Sequence, residues 1–471
     1  MNFITYDLIF LFIFAIIIGK FLYQNKRKVK KEGALLLYKT KWGIKLINYV
    51  GKKYKKTLSI LSYFSVITGY FLMAGIIYLF GKLVWVYMVN PSVVKAIKIP
   101  PIMPLVPYLP QMFKLNFLPP FYFTYWILIL IIVAIPHEFA HGIFMRLFKV
   151  KIKTTGFGFF PFFFPIFPLA FVEQNEKSMQ KASKFKQMAI LSAGTFANVL
   201  TAFLFLLILW GFFSAAFTPA GVVFNDYSYS IVGLSTITSI NNISVQNISY
   251  DKFISLAKNS SYNYIEAGGK EYVGVKGFTQ NKDLVVLYNS APAIKNNLSG
   301  AIVKINGIPI KNINELGNEL KKYSVGEKIN ITTELNKKRI TKELVLGEHP
   351  NIKGRAWLGI GFINNEKTGI INKIITKLSS FKKPHTYYIS KIGGLGLFIY
   401  NLLWWIILIS FSVAFLNMLP VGIFDGGRFF HLTIWGLTKN EKFADKSFKF
   451  VTWLFLLVVL ILMVFWLKAF F

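Results

Sequence analysis

Long apolar runs alternate with short basic segments along most of the chain. Runs at about 3–23, 58–89, 121–148, 187–213, 394–419 and 448–467 each exceed the roughly 18 residues that a helix needs to cross a hydrocarbon core. The pattern predicts a polytopic α-helical membrane protein with about six spans. Between 219 and 391 the pattern changes to short alternating apolar stretches set among Asn, Ser and Gly, which predicts an inserted β-rich region. The expected division is 1–120 for the N-terminal spans, a basic segment and a Pro-rich loop; 121–218 for the first half of a membrane core; 219–391 for the β-rich region; and 392–471 for the second half of the core and the last span.

Two segments interrupt this scheme. Pro100, Pro101, Pro104, Pro107 and Pro110 lie within 91–120; each removes a backbone donor, so this stretch reads as an extended loop or a surface-lying segment. The aromatic segment Phe157 to Phe171 is too broken by proline to span. An internal repeat runs through the β-rich region. Leu234-Ser235, Ile240-Asn241-Asn242-Ile243 and Asn247-Ile248 recur as Leu298-Ser299, Ile305-Asn306-Gly307-Ile308 and Asn312-Ile313, which suggests two related modules.

Composition agrees with a membrane protein: 54% of residues are hydrophobic and mean hydropathy is +0.50. The net charge of +34 does not point to nucleic acid, because no recognition motif accompanies it. Much of it flanks the apolar runs, where Lys and Arg meet anionic headgroups and set orientation. Residues 26 to 56 hold 12 Lys or Arg against the single acid Glu32, which places this segment in the cytoplasm. Counting spans from there puts both termini and the β-rich region outside. Asn-X-Ser/Thr triplets at Asn242, Asn247, Asn259, Asn297 and Asn330 all fall in that outer region. The expected location is the cell membrane, multi-pass, with the lipid bilayer as a partner. The chain has no cysteine, so a metal would need His, Asp or Glu.

The chemistry-bearing signal is Pro136-His137-Glu138-Phe139-Ala140-His141-Gly142 inside the third apolar run. His residues at i and i+4 share a helical face and can reach one Zn²⁺, while Glu138 can take a proton from water at the metal. Ionisable groups are costly at membrane depth, which favours a functional reading over a chance motif. A further ligand is needed, and the best candidate is Asp425 in Asn417-Met418-Leu419-Pro420-Val421-Gly422-Ile423-Phe424-Asp425-Gly426-Gly427. By itself Asp425 reads equally as an ordinary turn aspartate. Span counting brings it to the cytoplasmic side, where His141 also lies.

Together, His137-Glu138-X-X-His141, Asn417-X-X-Pro420 with Asp425-Gly426, Gly194-X-X-X-Asn198 and Pro168-Leu169-Ala170-Phe171-Val172-Glu173 resemble the site-2 protease family of intramembrane zinc metalloproteases. The resemblance implies that His137, His141 and Asp425 bind Zn²⁺ and that Glu138 is the catalytic base. It implies that Asn198 and Asn417 contact the substrate, although each also reads as an interhelical hydrogen bond. Thr195 stands where many members have Pro. The Phe157–Phe171 segment would be a strand-like element beside the site, or else an interfacial anchor. Ser290-Ala291-Pro292-Ala293, Ile302-Val303-Lys304-Ile305-Asn306-Gly307 and Val325-Gly326-Glu327 resemble PDZ modules of that family, which bind peptides by strand addition, although the usual carboxylate-binding loop is not identifiable. The expected partners are transmembrane protein substrates of the single-span kind. Two rival readings are an inactive PDZ-bearing receptor or scaffold and an ion or solute transporter; intact Glu138 argues against the first, and the gathering of ionisable groups at one depth argues against the second.

Overall fold

The structure is a computed structural model, and it describes residues 3–33, 35–90, 100–115, 117–159, 168–257, 263–279, 283–362, 369, 373, 376–378 and 380–468. Parts of the Pro-rich loop (91–99 and 116) and of the aromatic segment (160–167), together with Asn259, lie outside the described residues. The chain divides into two units, one of residues 1–211 with 398–471 and one of residues 212–397.

The first unit is mainly helical. Its helices are α1 (Phe3–Gln24), α2 (Ile44–Lys53), α3 (Lys55–Val89), α4 (Phe123–Leu147), α5 (Lys184–Ala216), α6 (Gly393–Asn417), α7 (Asp425–Thr438) and α8 (Glu441–Leu467); α5 and α6 run on into the second unit. Six of these, all but α2 and α7, are long and apolar enough to cross a membrane. α1 and α8 bury few of their side chains and expose residues such as Phe12, Phe450 and Trp453, a surface that suits lipid rather than water. The inner helices meet through small residues, which let backbones approach closely. Gly69 of α3 lies against Ser192 and Phe429, and the buried Ser65 and Ser192 hydroxyls share a hydrogen bond of 2.8 Å.

Two features of this unit escape the apolar pattern. The basic segment after α1 is not merely a charged tether. It forms strands β1 (Val29–Glu32) and β2 (Leu35–Thr40), which join β3 (Ile152–Phe159) and β4 (Pro168–Gln174) in an antiparallel sheet of order β1-β2-β3-β4. Glu173 of β4 pairs with Lys39 of β2 at 3.1 Å and Lys153 of β3 at 2.5 Å, and accepts from Thr154 at 2.7 Å. Next, α2 packs on the C-terminal half of α4. Ile47 is fully buried, and neither Gly51 nor Gly142 has room for a side chain there.

The N-terminus of α4 is capped from another helix. Asp7 of α1 is buried and accepts from the Phe123 N–H at 2.8 Å, the Thr124 N–H at 2.9 Å, the Thr124 hydroxyl at 2.5 Å and the Tyr108 hydroxyl. The first N–H groups of a helix have no partner within it, and Tyr122 at the cap position supplies none from its side chain. Asp7 fills that need across the bundle.

The second unit holds two six-stranded sheets. In the first, β7 (Tyr229–Gly233), β8 (Ile237–Ile240), β9 (Ile243–Ser244), β10 (Tyr264–Ala267), β11 (Lys270–Phe278) and β12 (Leu284–Asn289) lie in the order β7-β12-β11-β10-β8-β9. In the second, β5 (Phe217–Val223), β13 (Ala301–Ile305), β15 (Lys328–Leu335), β16 (Lys338–Val345) and β20 (Thr386–Ser390) give β16-β15-β13-β5-β20, with β14 (Ile308–Pro309) against β13. Short ladders pair β17 (Gly347–His349) with β18 (Ile352–Trp357), and β6 (Asp226–Tyr227) with β19 (Ile360–Gly361).

The two copies of the sequence repeat fold alike. Asn241-Asn242 turns β8 into β9, and Asn306-Gly307 turns β13 into β14. All four residues have positive φ, as a two-residue type I′ hairpin requires. Asn241 exchanges hydrogen bonds with the backbone of Tyr264, and Asn306 does the same with Asn330. A helix follows each hairpin, Tyr250–Leu256 and Ile313–Leu320.

Asp7→Ala is expected to lower stability by about 3 kcal/mol, because it strands two backbone donors at the head of α4; the melting temperature in detergent, compared with wild type, measures this. A pH dependence follows from Glu173. Partial burial pushes its carboxyl up, but the bonds from Lys153, Thr154 and Lys39 outweigh burial and bring it down to about 2 from 4.5. A depressed value contributes stability that is present above pH 4.5 and lost as pH falls toward 2. Glu173→Gln is expected to flatten the fall in melting temperature on acidification through that window.

Candidate active site

Four helices bring the predicted residues together. Pro136 sits inside α4 without ending it, and His137 and His141 follow on one face, both buried. α6 ends at Asn417, and a tight turn through Pro420 starts α7 at Asp425. The glycines after Asp425 have a steric reason: a side chain on Gly426 would run into the Met418 and Leu419 backbone, and one on Gly427 into Val421. The turn can therefore fold flat against the helix and aim the carboxylate inward, at a helix N-terminus that favours negative charge.

The distances are close. His137 Nε2 and His141 Nε2 are 3.1 Å apart, and Asp425 Oδ2 is 3.6 Å from the first and 3.3 Å from the second. One donor atom from each residue lies within 4.8 Å of the others, which makes this a group that could hold a metal ion. Two ligands each about 2.0–2.1 Å from a tetrahedral zinc are separated by about 3.3 Å, so the donor set fits such an ion.

α5 supplies the remaining architecture through Ile190, Gly194 and Asn198, spaced four residues apart on one helical stripe. The Ile190 carbonyl accepts from His141 Nδ1 at 2.7 Å, which leaves Nε2 free to ligate. Asn198, wholly buried, has its amide 2.9 Å from His137 Nδ1. For His137 to offer Nε2 to a metal, Nδ1 must carry the proton and donate it to Asn198 Oδ1. That oxygen is buried and has no partner, and a half-turn of the amide would bring it to the Nδ1 proton. Gly194 lies directly against the two imidazoles: a Cβ there would fall 2.5 Å from His137 Nε2 and 2.6 Å from its Cε1, and closer still to His141 Nε2. The place that a Cβ would fill is the place where the two histidine Nε2 atoms converge.

Glu138 points away from α5, toward the four-stranded sheet. Its Oε2 accepts from the Val172 N–H of β4 at 2.9 Å. A cavity of about 20 Å³ bordered by Glu138, Trp42, Thr155 and Val172 lies alongside, room for about one water. Asn417 places its amide 3.4 Å from His137 Nε2. Asn198 is enclosed and engaged on His137, the interhelical hydrogen bond that stands beside substrate contact as its second reading, while Asn417 stays partly exposed. Thr195, where a proline was the commoner expectation, leaves α5 unbroken and bonds back to the Ser192 carbonyl at 2.8 Å. Gly194, Ile190 and Val172 were not singled out as site residues. The stripe on α5 was readable as a period of four; the Val172 contact, 34 residues from Glu138, was not.

Two imidazoles and a carboxylate converge inside a helical bundle, with a glutamate beside the first imidazole, and form a group of the His-Glu-X-X-His class that could hold a metal ion. The chain belongs to peptidase family M50, the site-2 protease family, which residues 124–463 match. Membership implies metalloprotease activity within the membrane. No curated protein matches the chain.

Gly194→Ala is expected to abolish metal binding while the bundle stays folded, and Asn198→Ala to weaken it by about 10- to 100-fold. Metal content by mass spectrometry after dialysis against a graded chelator, with a melting curve as the folding control, measures both.

Proposed function

We propose that the protein is an intramembrane zinc endopeptidase that cuts a peptide bond in or near the membrane segment of a single-span protein. The observation that carries this reading is the convergence of His137, His141 and Asp425 donor atoms within 4.8 Å, with Glu138 next in sequence to one of them. These three residues hold Zn²⁺, and His137 and His141 are fixed from behind by Asn198 and Ile190. Bound there, the ion supplies Lewis acidity toward water and the scissile carbonyl.

The chain's own groups do the rest. Glu138, held by Val172, takes a proton from the attacking water as its oxygen bonds to the carbonyl carbon. When the C–N bond breaks, the same carboxyl passes that proton to the leaving amine. The Asn417 amide, 3.4 Å from His137 Nε2, is the donor offered to the developing oxyanion. β4 ends its sheet, so an unwound substrate segment can add to its outer edge, and Val172 on that strand already touches the base. Unwinding is required because helical hydrogen bonds shield the scissile carbonyl.

The charge pattern supports a multi-pass protein of the cell membrane with this site in the cytoplasmic half and the β-rich region outside. We read that region as two PDZ-like modules that bind or exclude substrates by their outer ends. In the second, the helix Ile313–Leu320 faces Leu358-Gly359-Ile360 across a cavity of about 330 Å³, a groove suited to an extended peptide.

Glu138→Gln is expected to retain zinc and lose at least about 10²-fold in cleavage rate, whereas Asp425→Ala loses the metal. Purified protein is assayed for zinc and for cleavage of single-span substrates in proteoliposomes. Cleavage by Glu138→Gln at the wild-type rate would overturn the assignment, and zinc retained without cleavage by wild type would favour a receptor.

A further inference from the structure

A second cleft, larger than the one beside the Ile313–Leu320 helix, opens in the β-rich unit and has no part in the chemistry above. It measures about 900 Å³ and lies between the first sheet and the β17–β18 hairpin, within the size of pockets that enclose a ligand. His349 and Trp357 form a wall shared with the groove of the second module, so the two sites lie back to back.

The charge of this cleft is unbalanced. Lys270, Lys295 and Lys353 line it from three different elements. Among the described residues of this unit, ion pairs join Asp226 to Lys276, Glu319 to Lys322, Glu343 to Lys328 and Glu334 to Arg339. None involves the three lining lysines. The two acids in the lining are engaged locally: Glu348 accepts from the Gly354 N–H at 2.7 Å, and Glu271 from the Ser290 hydroxyl at 3.5 Å. Those bonds come from neutral donors and leave both carboxylates charged. Three ammonium groups against two carboxylates give the lining a net positive charge, and among the described residues none of the three ammonium groups is held in an ion pair.

The floor favours an extended chain over a small ion. Ser230 of β7 contributes to it, and β7 is the outermost strand of its sheet, bonded only to β12. An outermost strand accepts a further strand by backbone pairing. Trp357 and Tyr272 add aromatic surface. We infer that this cleft binds an extended acidic peptide segment, its backbone laid along β7 and its carboxylates toward Lys270, Lys295 and Lys353. The inference does not depend on proteolysis, and it concerns a site separate from the groove of the second module.

The test uses the full-length protein in a neutral detergent and a fluorescein-labelled peptide alternating Glu with Val, with a Lys-for-Glu counterpart. Anisotropy is expected to report binding of the acidic peptide only, weakening as salt rises. The triple variant K270E/K295E/K353E is expected to bind about tenfold or more weakly, a loss of about 1.4 kcal/mol. The corresponding Lys→Arg triple should retain binding, which separates loss of charge from misfolding. K321E/R355E, on the other groove, should stay within about twofold of wild type. Equal binding of the two peptides, indifference to charge reversal, loss only in K321E/R355E, or equal competition by a short oligonucleotide would each overturn the proposal. Zinc content and substrate cleavage, measured in parallel, stand or fall apart from it.

Discussion

Everything at the metal group depends on how closely α5 approaches α4. Gly194 has no side chain, and the space this leaves is where the His137 and His141 rings turn their Nε2 atoms. A methyl group would separate the helices or turn the rings aside. The same approach brings the Ile190 carbonyl and the Asn198 amide within reach of the outer ring nitrogens. A single stripe on one helix thus sets both the room for the ion and the tautomers of its ligands. In hydrocarbon, where no hydrophobic force drives helices together, such close backbone contact is also what makes the packing favourable.

Asp425, the proposed third ligand, obeys a similar constraint. Asp425 reaches the site only because Gly426 and Gly427 let the turn after α6 lie against its own backbone. Glu138, by contrast, is governed from the sheet side through Val172. The proposed metal ligands and the proposed base are therefore held by different parts of the fold, bundle on one side and sheet on the other.

Much of this was legible in the sequence because it depends on local pattern. Apolar run length gives the six long helices, and i, i+4 spacing puts the two histidines on one face. The Asn-Asn and Asn-Gly hairpins show as a repeat because both need the same φ > 0 residues at the same register. What stayed hidden depends on pairing across long stretches of chain. The segment 29–40 reads as a basic cytoplasmic linker, yet β2 pairs with β3 more than a hundred residues away, and its Lys39 pairs with Glu173. Asp7 is a lone acid in an apolar helix, with nothing nearby to say that its partners are Tyr108, Phe123 and Thr124. Asn198 has a residue type fit for a substrate contact, and only packing reveals that its amide is turned to His137.

The strand pairing of β2 has a consequence for where this enzyme core begins. The family likeness starts at residue 124, but the sheet that steadies the base takes half of its strands from residues before it, and the helix bearing the histidines has its first turn closed by Asp7. The matched region and the mechanically complete unit thus have different borders in this chain. The residues before 124 are part of the frame, and a fragment cut at that border would carry His137, Glu138, His141 and Asp425 without the strands and the cap that hold them in place.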